Sequence, residues 1–268
     1  MYLLQLNVQA DRIGDATLRM AAGVRRYFML LWYGVLGVIS LGWLRRPAVL
    51  HVLVRQIYFT GVQSLVWVLV MILFAGVLSV FNIVAFAKGI EDLSKIGMLI
   101  GTLLVQEVAP LLITIFLLAR SGVAVVTEIA NMHIRGEDLL LGSLGIDRQE
   151  YLYLPRMMAF ALCGVVLTFM FVALSIWFGG LVVAWQQEMN LGQFLVEVKR
   201  STGLSSLLMM AGKGFFYPLL CCVLLIDQGC RVGRDPNEIP VRSTNGVVWS
   251  LMMIILLDVV IGILWSFL

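Results

Sequence analysis

Five near-continuous apolar runs divide the chain, at about 62–87, 96–119, 157–185, 203–226 and 247–268. Crossing the hydrocarbon core of a bilayer takes about 20 mostly apolar residues as helix, so each run is long enough to span. A sixth run, 27–44, is shorter and sits between Arg25-Arg26 and Arg45-Arg46. The stretch before it, 11–28, has a different pattern. At about 100° per residue, Arg12, Asp15, Arg19 and Arg26 share one narrow sector, and Ile13, Met20, Val24 and Phe28 a broad opposite one; Arg25 is the exception. This predicts a helix lying in the membrane interface with its arginines toward lipid phosphates. It runs into a short embedded segment that Pro47 ends. The expected fold is an all-α integral membrane protein: an N-terminal interfacial helix, five transmembrane helices, and a cytoplasmic helix between spans 2 and 3.

Basic residues set the sidedness. With the N-terminus inside, segments 1–61, 120–156 and 228–243 carry fourteen of the 19 Lys and Arg residues. The opposite loops carry Lys88, Lys95, Lys199 and Arg200, and Lys213 lies within a span. Positively charged loops stay in the cytoplasm, which puts the C-terminus on the far side. Treating 27–44 as a sixth span would invert this bias. Residues 186–202 are expected to form a small external helix.

Composition agrees: 61% of residues are hydrophobic, 13% are charged, and mean hydropathy is +0.97. A soluble surface needs more charge than that. The net charge of +3 follows from the loop bias and does not indicate nucleic-acid binding. The N-terminus lacks the short basic start, apolar stretch and small-residue site of a removable signal peptide. No G-x-x-x-x-G-K-[ST] motif occurs, so ATP binding by that route is not expected. Cys163, Cys221, Cys222 and Cys230 have no paired spacing and read as small hydrophobes. His51 and His133 do not make a metal cluster. Gly97/Gly101, Gly179-Gly180 and Gly212/Gly214 read as helix-packing positions.

Charges within spans are costly and face a protein interior or a wet cavity. Glu107 lies mid-way along the second span, Lys213 in the fourth, Asp227 at the fourth's end and Asp258 mid-way along the fifth. Arg120 is thirteen residues from Glu107, about 20 Å along a helix, so the two cannot pair. Glu107 therefore needs another partner, with Lys213 or a backbone opening at Pro110 as candidates. Two roles fit Glu107: the polar lining of a transport cavity, or a buried pairing that fixes the bundle. Segment 121–148 is too polar to span. Met132, Leu139, Leu140 and Leu144 can form one apolar face among its charges, which suits docking into a partner's groove or an ordinary interfacial helix.

Between 106 and 156 the residues resemble a known family. The run Gln106-Glu107-Val108-Ala109-Pro110, then Ala119-Arg120-Ser121-Gly122, Thr127-Glu128, Met132, Gly145-Ile146-Asp147 and Leu154-Pro155-Arg156 is similar to the signature of MlaE/YrbE-type ABC permeases. The intervals match without gaps over about fifty residues. Looser similarity extends to Arg55-Gln56-Ile57-Tyr58, to Asp227-Gln228-Gly229 and to Ser243-Thr244-Asn245. Departures from the pattern are Gly136-Glu137 for a Glu-Gln pair, Gln106 for Arg, Ala109 for Gly, and Asn245 for a late Arg.

The resemblance implies a permease of the bacterial inner membrane with a 1–61 N-terminal region and a 62–268 five-span domain. It implies a homodimer and two cytoplasmic ABC ATPase subunits that bind ATP and Mg, this chain binding neither. An MCE-domain protein would stand on the periplasmic side, and some members add a STAS-domain regulator. The cargo is lipid, chiefly phospholipid, or in other members sterols or further hydrophobic molecules. In that reading Gln106, Glu107, Pro110 and Asn245 belong to the substrate cavity. Glu128, Met132, Arg135, Glu137, Asp138 and Leu144, within segment 121–148, couple to the ATPase. Arg120, Gly122, Asp147, Pro155 and Arg156 serve gating or structure. The rival classes are an ion-coupled secondary transporter with no ATPase, and a membrane-embedded lipid enzyme. The enzyme would need a nucleophile–base or metal cluster that two isolated histidines do not supply.

Overall fold

The computed structural model describes residues 46–86, 93–187, 191–233 and 235–267, with Arg25, Tyr27, Met29 and Trp32. The expected interfacial helix at 11–28 and embedded segment at 27–44 otherwise lie outside the described residues. All regular structure among the described residues is helical. Five helices are long and apolar enough to cross a membrane: α1 (Pro47–Phe86), α2 (Ile96–Ile134), α4 (Gln149–Trp185), α6 (Leu204–Cys230) and α7 (Glu238–Leu264). Two short helices join them, α3 (Glu137–Ser143) and α5 (Leu191–Ser201).

The first helix begins fifteen residues before the apolar run read from sequence. Pro47 starts it, because at a helix's first position the missing N–H has no partner to lose. Val49 and Leu53 on this extension pack against Leu154, Met158 and Ala159 of α4. At Gly61 the helix passes close to α4, and a Cβ there would stand 2.9 Å from Cys163 Sγ. A tight 3₁₀ turn follows at Val62–Ser64.

The second helix overruns its expected end at Arg120-Ser121-Gly122 by three turns. Gly122 lies inside a π-helical stretch, Leu118–Gly122, and does not terminate the helix. It is a contact point: a Cβ there would meet Leu225 Cδ1 of α6 at 2.9 Å. The stop comes at Gly136, whose φ of 71° is the left-handed conformation that only glycine adopts cheaply. Gly145 repeats that φ of 71° after α3 and turns the chain into α4. The segment read as one helix between spans 2 and 3 is therefore two pieces, the last turns of α2 and the seven-residue α3.

The centre of the bundle is α6. Its Tyr217, Cys221, Cys222, Leu225 and Ile226 are buried, with α2, α4 and α7 packed around it. Small residues allow the closest approach. A Cβ on Gly164 of α4 would stand 2.4 Å from Gly214 O and 2.5 Å from Pro218 Cγ. The external helix expected within 186–202 is α5. It packs on the start of α2, where Gly97 faces Ser201 and the backbone of Glu197. Gly180 receives Phe194 of the same helix, and Gly179 receives Val80 of α1. Gly212 has no neighbour that a Cβ would meet within 4 Å. In contrast to α6, α7 turns a long apolar flank outward, from Val248 through Met252, Ile255 and Val259 to Ile263.

This contrast gives a paired prediction. Gly164→Ala forces α4 away from α6 backbone and lowers the thermal unfolding midpoint of the detergent-solubilised protein by several degrees, equivalent to about 1–3 kcal/mol of overpacking. Gly212→Ala leaves the midpoint in place. Equal midpoints for the two variants would show that the α4–α6 contact is not tight.

Candidate functional site

Lys213 is 3% exposed in the middle of α6. Its Nζ donates to Glu107 Oε2 of α2 at 2.5 Å and to Asp258 Oδ1 of α7 at 2.8 Å. Tyr217, one turn along from Lys213, donates its hydroxyl to the same Asp258 oxygen at 2.8 Å. Three helices thus meet at one ammonium and two carboxylates, an arrangement with one negative charge in excess when all are ionised. Two of the three charges are enclosed. The Glu107 side chain remains 34% exposed, against 14% for Asp258 and 2% for Lys213.

Local chain geometry presents Glu107. It sits in a π-helical stretch, Ile100–Val108, that ends two residues before Pro110. Proline has no N–H to give the carbonyl of residue 106, and a widened turn is one way to absorb that loss. The neighbouring Gln106 is buried and donates from Nε2 to Ser206 Oγ of α6 at 2.7 Å. Thr114 Oγ1 donates to Pro110 O at 2.6 Å. Gln106, Glu107 and Pro110 are accordingly grouped on the side of α2 that meets α6. Asn245 is not part of this group. It is exposed on α7, thirteen residues from Asp258 and about 20 Å away along the helix.

The residues read as coupling and gating elements gather at the opposite end, among the basic loops. Arg156 is buried at 2% exposure, pairs through Nη2 with Glu128 Oε1 at 2.8 Å, and donates to Leu152 O at 2.5 Å. Arg120 donates to Phe59 O at 2.9 Å and to Ser64 Oγ. It thereby caps carbonyl and hydroxyl groups where α1 tightens after Gly61. Glu128, Met132, Arg120 and Arg156 all line one cavity of about 570 Å³ between α1, α2 and α4. Pro155 is buried beside Arg156, near the start of α4.

Asp138 has an internal role in the α2–α3 hairpin. It is 7% exposed, and its Oδ2 meets His133 Nδ1 at 3.0 Å and Arg148 Nη1 at 3.1 Å. This clasp holds α3 against the end of α2 and the entry to α4. Arg135 and Glu137 form an open surface pair at 3.7 Å, of the kind that adds little stability. Asp147 accepts from Gln149 N at 2.9 Å and stays exposed, shaping the turn into α4. Outside the clasp, Leu139, Leu140 and Leu144 project from the bundle at 67%, 62% and 72% exposure.

Tyr217, Ser206 and the His133–Arg148 clasp were not singled out from sequence. One signal was available: Tyr217 follows Lys213 by four residues, which places both on one helix face. Nothing comparable marked Ser206.

The sequence pattern of the family described as Permease MlaE matches residues 53–264 of this chain. The chain belongs to the MlaE permease family. Relatives matched over most of their length agree with that membership. A probable ABC transporter permease protein of Rickettsia felis is 24% identical, covering 94% of this chain and 95% of its own. The intermembrane phospholipid transport system permease protein MlaE of Haemophilus influenzae is 26% identical over 78% of this chain and 80% of its own. A probable ABC transporter permease protein of Synechocystis is 24% identical over 85% and 90%. Within this MlaE-family chain, the matched region contains the charge cluster and all but the first six residues of α1.

Breaking a buried ion pair from one side strands the remaining charge, at a cost of about 3–5 kcal/mol. Lys213→Met leaves two carboxylates facing each other and is expected to lower the unfolding midpoint far more than Glu107→Ala, which leaves the Lys213–Asp258 pair intact. Thermal unfolding of both variants in the same detergent checks the order. A reversed order would remove Lys213 as the hub.

Proposed function

We propose that this chain is the transmembrane permease subunit of an ABC transporter that moves lipid, chiefly phospholipid, between bacterial membranes. The observation that carries the reading is the Glu107–Lys213–Asp258 cluster. Within an apolar bundle it is a polar centre with one partly open carboxylate, and an amphiphile needs such a place to turn its headgroup. Family membership supports the permease role, and the Haemophilus influenzae relative's name supports the cargo. The chain sits in the inner membrane with its basic loops in the cytoplasm. It works as a homodimer with a cytoplasmic ABC ATPase, where ATP and Mg are bound, and with a periplasmic MCE-domain protein; a STAS-domain regulator joins the ATPase in some assemblies.

The coupling surface is the outward edge of α3. Leu139, Leu140 and Leu144 form an apolar ridge on a hairpin that Asp138 keeps rigid. That suits insertion into a groove of the ATPase, and nucleotide-driven closure of the ATPase then shifts α2 through the hairpin. Glu128 and Met132 stand behind this edge, next to the Arg120 and Arg156 cavity. Charge reversal at Asp138 would unfold the clasp, so the informative changes are on the ridge.

Two variants test the two halves of the proposal in reconstituted vesicles. Glu107→Ala keeps its ATPase subunit and loses about tenfold in lipid transfer, the scale of one charge-assisted hydrogen bond. Leu140→Asp keeps its fold and loses lipid-stimulated ATP hydrolysis. Undiminished transfer by Glu107→Ala would remove the cluster from the lipid path. Transfer that follows an ion gradient without ATP would replace the ABC reading with a secondary transporter.

A further inference from the structure

The cavity of about 570 Å³ at the basic end holds more positive charge than its structural pairings use. Its wall brings together Arg55 of α1, Arg120 of α2 and Arg156 of α4, against one carboxylate, Glu128. That carboxylate is committed to Arg156 at 2.8 Å. Arg120 donates to neutral acceptors, Phe59 O and Ser64 Oγ, and among the described residues no carboxylate pairs with it. Arg55 is exposed and lies over the Phe59 ring, 5.7 Å from its centroid. Neither Arg55 nor Arg120 meets a carboxylate among the described residues. Arg156, 98% buried, forms part of the floor, and its Nε has no partner among the described residues. Gln56 and Gln63 add amide donors at the rim.

Guanidinium groups gathered from separate helices around one opening match the charge and donor geometry of a phosphate group. The volume exceeds what an inorganic anion requires and lies in the range of sites for small organic ligands. Apolar side chains, among them Val52, Val125 and Leu152, share the wall with the arginines. A headgroup could thus keep its phosphate on the arginines and its glycerol against the apolar side. We infer that this cavity binds a phosphate-bearing anion, the headgroup of a membrane phospholipid or free phosphate, at a site separate from the Glu107–Lys213–Asp258 cluster. Arg120 and Glu107 are thirteen residues apart on one helix, about 20 Å. A ligand held here bridges α1, α2 and α4 at the level of the α2–α3 hairpin.

The test is thermal unfolding of the intact purified transporter, delipidated and titrated with three probes: dihexanoyl phosphatidylglycerol, dihexanoylglycerol, which has no phosphate, and inorganic phosphate. Wild type, Arg55→Gln and Glu107→Ala are compared. Arg55 is exposed, so its replacement leaves the fold intact. Phosphatidylglycerol is expected to raise the midpoint, and Arg55→Gln to need about tenfold more of it, the loss of one charged contact. Glu107→Ala keeps that response, which separates this site from the lipid path proposed above. A response to phosphatidylglycerol with none to inorganic phosphate assigns a lipid headgroup; an equal, Arg55-dependent response to phosphate assigns the free anion. Dihexanoylglycerol acting as well as phosphatidylglycerol, or Arg55→Gln behaving as wild type, overturns the site. So does an Arg55→Gln protein that loses its ATPase subunit while its lipid response is unchanged, since the patch is then a protein contact.

Discussion

A lysine ammonium in the middle of a membrane helix has to be neutralised inside the protein, and much of this structure follows from that requirement. Lys213 sits on one of the two most enclosed helices, so its partners must come from helices that touch α6. Glu107 and Asp258 arrive from α2 and α7, on two sides. The cluster therefore fixes the rotation of three helices about their own axes. Apolar packing alone would leave that rotation loosely specified, because leucine, valine and isoleucine faces fit one another in many registers. Close glycine contacts set the separations, and the charge cluster sets which faces meet.

The same electrostatic rule acts differently at the two ends of α2. Near Glu107 the charges nearly cancel, and one carboxylate keeps an opening. Near Arg120 the balance is positive, and the spare charge faces a cavity rather than a carboxylate. A lipid headgroup would meet these two environments at different depths. The phosphate would find attraction at the basic end and little at the cluster, where the formal excess is negative. A gradient of that kind favours holding a headgroup at the membrane surface and weak retention along the way.

Much of this was legible from residues alone. The five spans show directly, because an uninterrupted apolar run has few alternative readings. The need of Glu107 for a distant partner followed from helix geometry, and Lys213 was among the partners available. The ends of the helices were less legible. Pro47 reads equally as a stop or as a first residue, and the packing of Val49 and Leu53 on α4 decides it. Gly122 looks like a terminator next to Arg120 and Ser121, yet it is a contact point for Leu225. The real stop, Gly136, depends on a left-handed backbone angle that the sequence does not announce. Asp138 read as one of the residues that meet the ATPase, but His133 and Arg148 fold over it. Side chains that converge from three elements leave no periodic trace in any one of them.

From Glu107 to Ile134, α2 is one unbroken helix, about 40 Å long at the ordinary rise per residue. A rod of that length cannot be displaced at one end only. Any tilt imposed on the α3 ridge reappears at the charge cluster with its direction reversed about the point where the rod is gripped. The grip is near Gly122, where the side chain of α2 is absent and Leu225 lies against its backbone. That pivot lies near the middle of the rod, fifteen residues from Glu107 and twelve from Ile134, so a movement at the hairpin returns at the charge cluster in the opposite sense and at about its own size.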